Sequence, residues 1–238
     1  MTPFQKKLVD VALGERERFG GMHETHPDLH RRIDQYWRAA GVNPPSDPTA
    51  EPWSAVFISW CVKTSGATAS EFKFATAHSQ FVHAAIANAD NSRGVFRGRR
   101  ITEYAPKPGD IIQNNRAGNF SFDHARTHAS YKSHSAIVVD IRAVGGVPHA
   151  ITIGGNEDDT VGEKQVRLEP SGLIRQSGNR YICVIENLKV DTVAAPAIAA
   201  GNGAHPHRVV ARGGLNLREG PGTEFPAARL VPFGTVVH

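Results

Sequence analysis

Apolar residues recur at helical spacing through the first forty positions: Phe4, Leu8 and Val11, then Leu29, Ile33, Tyr36 and Trp37. Side chains three and four apart share a helix face, so the pattern predicts two amphipathic helices over 4–19 and 28–40. Gly41 and the prolines at 44, 45 and 48 end this region, because both residue types interrupt helices. The segment EPWSAVFISWCVKTSG is apolar on nearly every side, with Pro52 near its start and Gly66 after its end. It predicts a buried helix over about 53–64. A further helix is expected over about 77–88, in AHSQFVHAAIAN.

From Pro108 onward the period shortens to two or gives way to continuous apolar runs. GDIIQ, SAIVVDI, HAITIGGN, KQVRLEP and YICVIEN are five strand candidates separated by turn residues. Helices first and strands after is the order of an α+β domain with an antiparallel sheet, here over 1–188. Residues 189–207 are rich in Ala, Pro, Gly and Asn; with too little apolar bulk to pack, they read as a linker to a small third segment, 208–238.

Of the 238 residues, 40% are hydrophobic and 21% charged, the balance of a folded globular chain rather than a disordered or fibrous one. The formal charge of +4 suits an anionic polymer but does not choose between cell wall and nucleic acid. Cys61 and Cys183 form no CxxC pair, so neither a disulfide framework nor a cysteine zinc site is indicated. The first residues show no signal-peptide apolar core or cleavage site, and no run reaches the roughly 18 apolar residues of a membrane span.

Four blocks carry a resemblance. PWSAVFISW resembles the nucleophile helix of papain-like cell-wall peptidases of the NlpC/CHAP kind, where a Pro-Trp-Cys-Ala-Xaa-Phe pattern puts a cysteine in the first turn. KPGDII at 107–112 resembles the strand before the catalytic histidine, SHSAIVV at 133–139 the strand that opens with it, and ITIGGNEDDTV at 151–161 the strand that ends in the third polar residue. Position by position, the resemblance implies Ser54, His134 and Asn156 as catalytic residues. It implies a papain-like fold, no cofactor and no metal. A bacterial branch of this superfamily whose helix begins Pro-Trp-Ser-Ala-Xaa-Phe-Ile-Ser is matched closely. Residues 215–234, with Leu215, Asn216, Arg218, Gly220, Pro221, Gly222 and Gly234, resemble the bacterial SH3-type repeat. The chain reaches about halfway through such a barrel, so an incomplete copy is expected.

The departure is the serine. A thiol at a helix N-terminus ionises readily, whereas a hydroxyl gains far too little from the helix dipole. Ser54 needs His134 as general base, Asn156 to orient the ring, and backbone N–H groups at the helix start as an oxyanion hole. Cys61 is the competing nucleophile, seven residues on and about 10 Å along the same face; a buried core thiol is the simpler reading. His134 also reads as an ordinary strand-end histidine, and Asn156 as a turn residue. Glu51, Trp53, His78 and Glu157 are expected to line the substrate cleft, with a capping role as the alternative for Glu51. Asp123, His124 and His128 lie in a polar segment without an HExxH glutamate, which disfavours zinc.

These readings make the chain a monomeric hydrolase, amidase or endopeptidase, of amide bonds in peptidoglycan or its stem peptides. Nucleic acid and membrane spans have no part in it. The expected location is secreted, periplasmic or at the cell wall, reached without a recognisable signal peptide by phage lysis or specialised secretion. The rival from another class is a catalytically inert wall- or peptide-binding module of the same fold.

Overall fold

The computed structural model describes residues 1–47 and 49–190 in full, and in the remainder the backbone of four short strands. The chain forms two compact units, 1–191 and 192–238. In the first, four helices precede an antiparallel six-stranded sheet: α1 (Pro3–Phe19), α2 (Pro27–Ala39), α3 (Ser54–Thr64) and α4 (His78–Asp90). The unit is therefore α+β. Among the described residues, no helix is long and apolar enough to cross a membrane.

Helix α1 starts at a reciprocal cap: the Thr2 hydroxyl accepts from the Gln5 backbone N–H at 3.2 Å, and the Gln5 side chain accepts from the Thr2 N–H at 2.7 Å. The same two side chains reach the far end of the unit. Thr2 Oγ1 donates to the Lys189 carbonyl at 2.7 Å, and Gln5 Nε2 donates to the Asn187 carbonyl at 2.5 Å. Helices α1 and α2 are joined by a partly buried ion pair in which both Nε and Nη2 of Arg32 donate to the Glu15 carboxylate, which also accepts from the Tyr36 hydroxyl.

The strands are β1 (Phe96–Arg99), β2 (Ile111–Asn115), β3 (Ser133–Val144), β4 (Val147–Glu157), β5 (Thr160–Arg167) and β6 (Tyr181–Asn187), in spatial order β1-β6-β2-β3-β4-β5. One face, with Ile111, Ile137, Ile153, Cys183 and Ile185, packs on the helices. The other, with Ile112, Val138, Val166 and Val184, is covered by Ile101, Leu168 and Ile174 from flanking segments. β1 and a six-residue helix, α5 (Phe122–Thr127), had no apolar periodicity to announce them. β1 is a four-residue edge strand whose Gly98 lets α4 come close: a Cβ there would lie 2.4 Å from the Ile86 side chain.

The KPGDII block is a bracket. Asp110 is buried, and its carboxylate accepts from the backbone N–H groups of Asn187 at 2.9 Å and Lys107 at 2.8 Å and from the Tyr104 hydroxyl at 3.0 Å. Gly109, at φ +94, passes over Gln5, where a Cβ would meet the Gln5 Cβ at 2.8 Å. One carboxylate thus joins the start of β2, the end of β6 and the preceding loop.

In the second unit β7 (His207–Arg208) pairs with β10 (Val236–Val237), and β8 (Leu215–Arg218) pairs with β9 (Ala227–Val231), both antiparallel. The Leu-Asn-Leu-Arg motif is β8. The expected linker, apart from its first two residues and His207, and the Gly-Pro-Gly turn lie outside the described residues.

Replacing Asp110 with Ala should cost about 2–4 kcal/mol in urea unfolding at neutral pH, because the buried Asn187 N–H and two partly buried donors lose their acceptor. Burial also raises the Asp110 pKa to about 6 from an ordinary 3.8. Between those values the folded state keeps a proton that the unfolded state has lost, so this group's contribution falls as pH rises. The variant should lack that component.

Candidate functional site

Three elements meet where helix α3 begins. Strand β4 passes beneath it at Gly155, where a Cβ would lie 2.6 Å from the Phe57 Cβ and 2.7 Å from Trp53 Cζ3. Only glycine admits a helix this close. Trp53, just ahead of α3, is fully buried and stacks on Tyr36 with ring centroids 5.9 Å apart. Its indole donates to the buried Glu24 carboxylate at 2.8 Å, which also accepts from the Asn156 side chain at 3.0 Å. The helix start is thereby tied to the β4–β5 hairpin.

That hairpin is irregular where the site needs it. The β4–β5 register shifts between Gly154 and Glu157, so a bulge re-aims the side chains at the strand end. Asn156 has φ 54, a left-handed conformation that asparagine tolerates better than most residues. Asp158 and Asp159 follow at φ 55 and 61, the signature of a tight two-residue hairpin turn.

Ser54 is the first residue of α3 and is only 2% exposed. Its hydroxyl lies 2.7 Å from Nε2 of His78, the first residue of α4. His134 is not the hydrogen-bond partner of Ser54: its Nε2 meets Oε1 of Glu157 at 2.7 Å, and its ring centroid is 5.2 Å from that of His78. Gly154 makes room for the pair, since a Cβ there would lie 3.1 Å from His134 Nε2 and 2.9 Å from Glu157 Oε1.

Several expectations therefore change roles. Asn156 holds Glu24 and shapes the bulge, while its neighbour Glu157 orients the imidazole. The spacing along the strand could not show this, because a bulge shifts which residue faces which way. Trp53 is a buried strut, not part of the cleft lining. His78, expected to line the cleft, both lines it and contacts Ser54. Glu51 is exposed on the cleft. Cys61 is fully buried, with its thiol pushed well above the ordinary value by burial and by the Glu15 carboxylate, which makes thiolate chemistry unfavourable. Asp123 pairs with Arg100, and His124 and His128 stack with ring centroids 4.1 Å apart.

The cleft above Ser54 has a volume of about 690 Å³ and is also lined by Trp37, Thr76, Arg116, Tyr131 and Lys132. A smaller cavity of about 150 Å³ holds His134 and Glu157 with Asn114, Lys164 and Arg180. Neither α3 nor α4 has a side-chain cap on its first N–H groups, so both positive helix ends are available at the cleft. Glu24, Arg116 and Lys132 carried no sequence signal; each sits in a polar segment without periodicity.

A family model described as "Uncharacterized protein conserved in bacteria (DUF2272)" matches residues 28–194, from α2 to just beyond β6. No curated protein and no solved structure matches the chain.

Burial, with smaller contributions from His134 and Arg116, holds the His78 imidazole well below the usual histidine value. It is neutral at pH 7, and its Nδ1 is buried without a partner among the described residues. Below the unfolded value of 6.5 the unfolded chain binds a proton that the folded chain refuses, so stability falls with pH by up to about 1.4 kcal/mol per unit. Urea midpoints measured across this range should show a shallower acid loss for His78→Gln than for the natural chain. A second variant tests the close approach: Gly155→Ala should destabilise by about 1–3 kcal/mol in the same assay, through overpacking against Phe57 and Trp53.

Proposed function

We propose, for a chain that belongs to the bacterial family DUF2272, a serine-dependent hydrolase that cleaves amide bonds of peptidoglycan stem peptides by acyl transfer. The observation that carries this reading is the 2.7 Å contact between Ser54 Oγ and His78 Nε2 on the cleft. A hydroxyl becomes a competent nucleophile only as its proton leaves, and a neutral imidazole at this distance can take it. The alkoxide attacks the amide carbonyl. The resulting oxyanion faces the uncapped N–H groups at the start of α3, and the leaving amine takes the proton back from His78. Water then releases the acyl group from Ser54.

The wall as target rests on two resemblances: the order of the four blocks in a papain-like, NlpC/CHAP-type domain, and the SH3-type motif at 215–234, which is typical of wall-targeting modules. Both support a secreted or periplasmic site of action for the monomer.

One observation favours a second reading of the base. His134 has a carboxylate partner, Glu157, whereas protonated His78 would be a buried cation with no carboxylate in contact and its Nδ1 without a partner among the described residues. A base is better supported when the charge it acquires is paired. In this reading His134 takes the proton once substrate draws the two groups together, and His78 holds the hydroxyl in place.

Mass spectrometry of purified peptidoglycan fragments after incubation tests the proposal. Ser54→Ala should lose cleavage by about 10³-fold or more, and the double variant Ser54→Ala/His78→Ala should lose no more, since the two side chains serve one transition state. Cys61→Ser should retain cleavage. Loss with His134→Ala but only a raised KM with His78→Ala would assign the base to His134. A chain that binds fragments without cleaving them, and whose Ser54→Ala variant behaves identically, is a binding module.

A further inference from the structure

The charges lining the Ser54 cleft do not balance. Arg116, in the loop after β2, and Lys132, just ahead of β3, both line it and are both exposed. Several arginines of the unit are paired, Arg31 with Asp28, Arg100 with Asp123 and Arg126 with Asp90, while others are not; Arg116 is set apart by its place on the cleft. Arg116 and Lys132 have no ion-pair partner among the described residues. Arg116 lies close enough to the reacting groups for its charge to be felt at His78. Against these two cations the cleft lining offers one carboxylate, Glu51, which is also exposed.

His78 adds no charge, because burial keeps it neutral at pH 7. The uncapped starts of α3 and α4 add partial positive charge from the cleft floor. The lining is thus cationic by one full charge, with a guanidinium and an ammonium placed beside a hydroxyl nucleophile. An unpaired guanidinium beside a cleft is suited to a planar, two-oxygen anion, which it grips with parallel hydrogen bonds.

We propose that Arg116 and Lys132 form a carboxylate-recognition subsite, so that the cleft selects peptides bearing a free carboxylate next to the scissile amide. This inference rests on the acyl-transfer reading only for the position of the scissile bond. With Glu51 counted, the net single positive charge of the cleft lining matches one carboxylate better than a dianionic phosphate. It acts on substrate capture and orientation, with the transition-state chemistry left to Ser54 and its histidines.

The test is calorimetric titration of the full chain carrying Ser54→Ala, which removes turnover. Two probes are compared: a stem tetrapeptide with free carboxylates, and the same peptide with those groups converted to carboxamides. The free-carboxylate peptide should bind about tenfold more tightly at low salt, and the preference should shrink as salt is raised. Adding Arg116→Gln and Lys132→Gln should bring the two affinities together while leaving the thermal midpoint unchanged, since both side chains are exposed and unpaired. Equal affinity for the two peptides, or a preference that survives the double replacement, overturns the subsite; so does absence of binding by either peptide. Digestion of both peptides by the natural chain separates the two ideas. Charge-dependent binding without cleavage retains the subsite and removes the hydrolase reading, whereas equal cleavage of both peptides does the reverse.

Discussion

The site exists because strand β4 offers helix α3 no side chain at Gly155. With the Phe57 Cβ only 2.6 Å from where a Cβ would stand, helix and sheet are in backbone-to-side-chain contact. The N-terminus of the helix is brought down to the level of the strand ends. Trp53 then has only one place to go, and the indole bond to Glu24, shared with Asn156, fixes the rotation of the first turn. Ser54 inherits its orientation from this arrangement. A dense contact of this kind tolerates little adjustment, because protein interiors are packed as closely as organic crystals.

Two imidazoles with ring centroids 5.2 Å apart have different surroundings. His78 is dry, lacks a carboxylate and lies near Arg116, so its charged form is disfavoured. His134 shares a short contact with Glu157. The difference follows from topology: His78 opens a helix that lies on the core side of the sheet, while His134 sits on a strand and faces the smaller cavity with Glu157.

Much of the scaffold was legible from periodicity. The four long helices and the five strands β2 to β6 follow apolar patterns that burial enforces, and proline and glycine mark where helices begin and end. Strand β1 was invisible because FRGR carries its information in Gly98, a residue whose role depends on what approaches it. At the site, Ser54 stood out because its place in the helix is local. The histidine that meets it was harder to find, since which of two candidates faces a hydroxyl depends on how α3 and α4 converge, a contact spanning 24 residues. Glu157 makes the histidine contact expected of Asn156 for a different reason: a single bulge residue turns an alternating pattern by one position.

The reciprocal cap at Thr2 and Gln5 reaches the carbonyls of Lys189 and Asn187, 187 and 182 residues away. Helix α1 thus completes its docking against the last strand of its own unit. During synthesis this contact must wait until β6 has left the ribosome, and closing so long a loop precedes any reward from the contacts it makes. Until then the outer hydrogen bonds of the Thr2 and Gln5 side chains are unmade. The earliest part of the chain to be made is, in this respect, among the last to be finished.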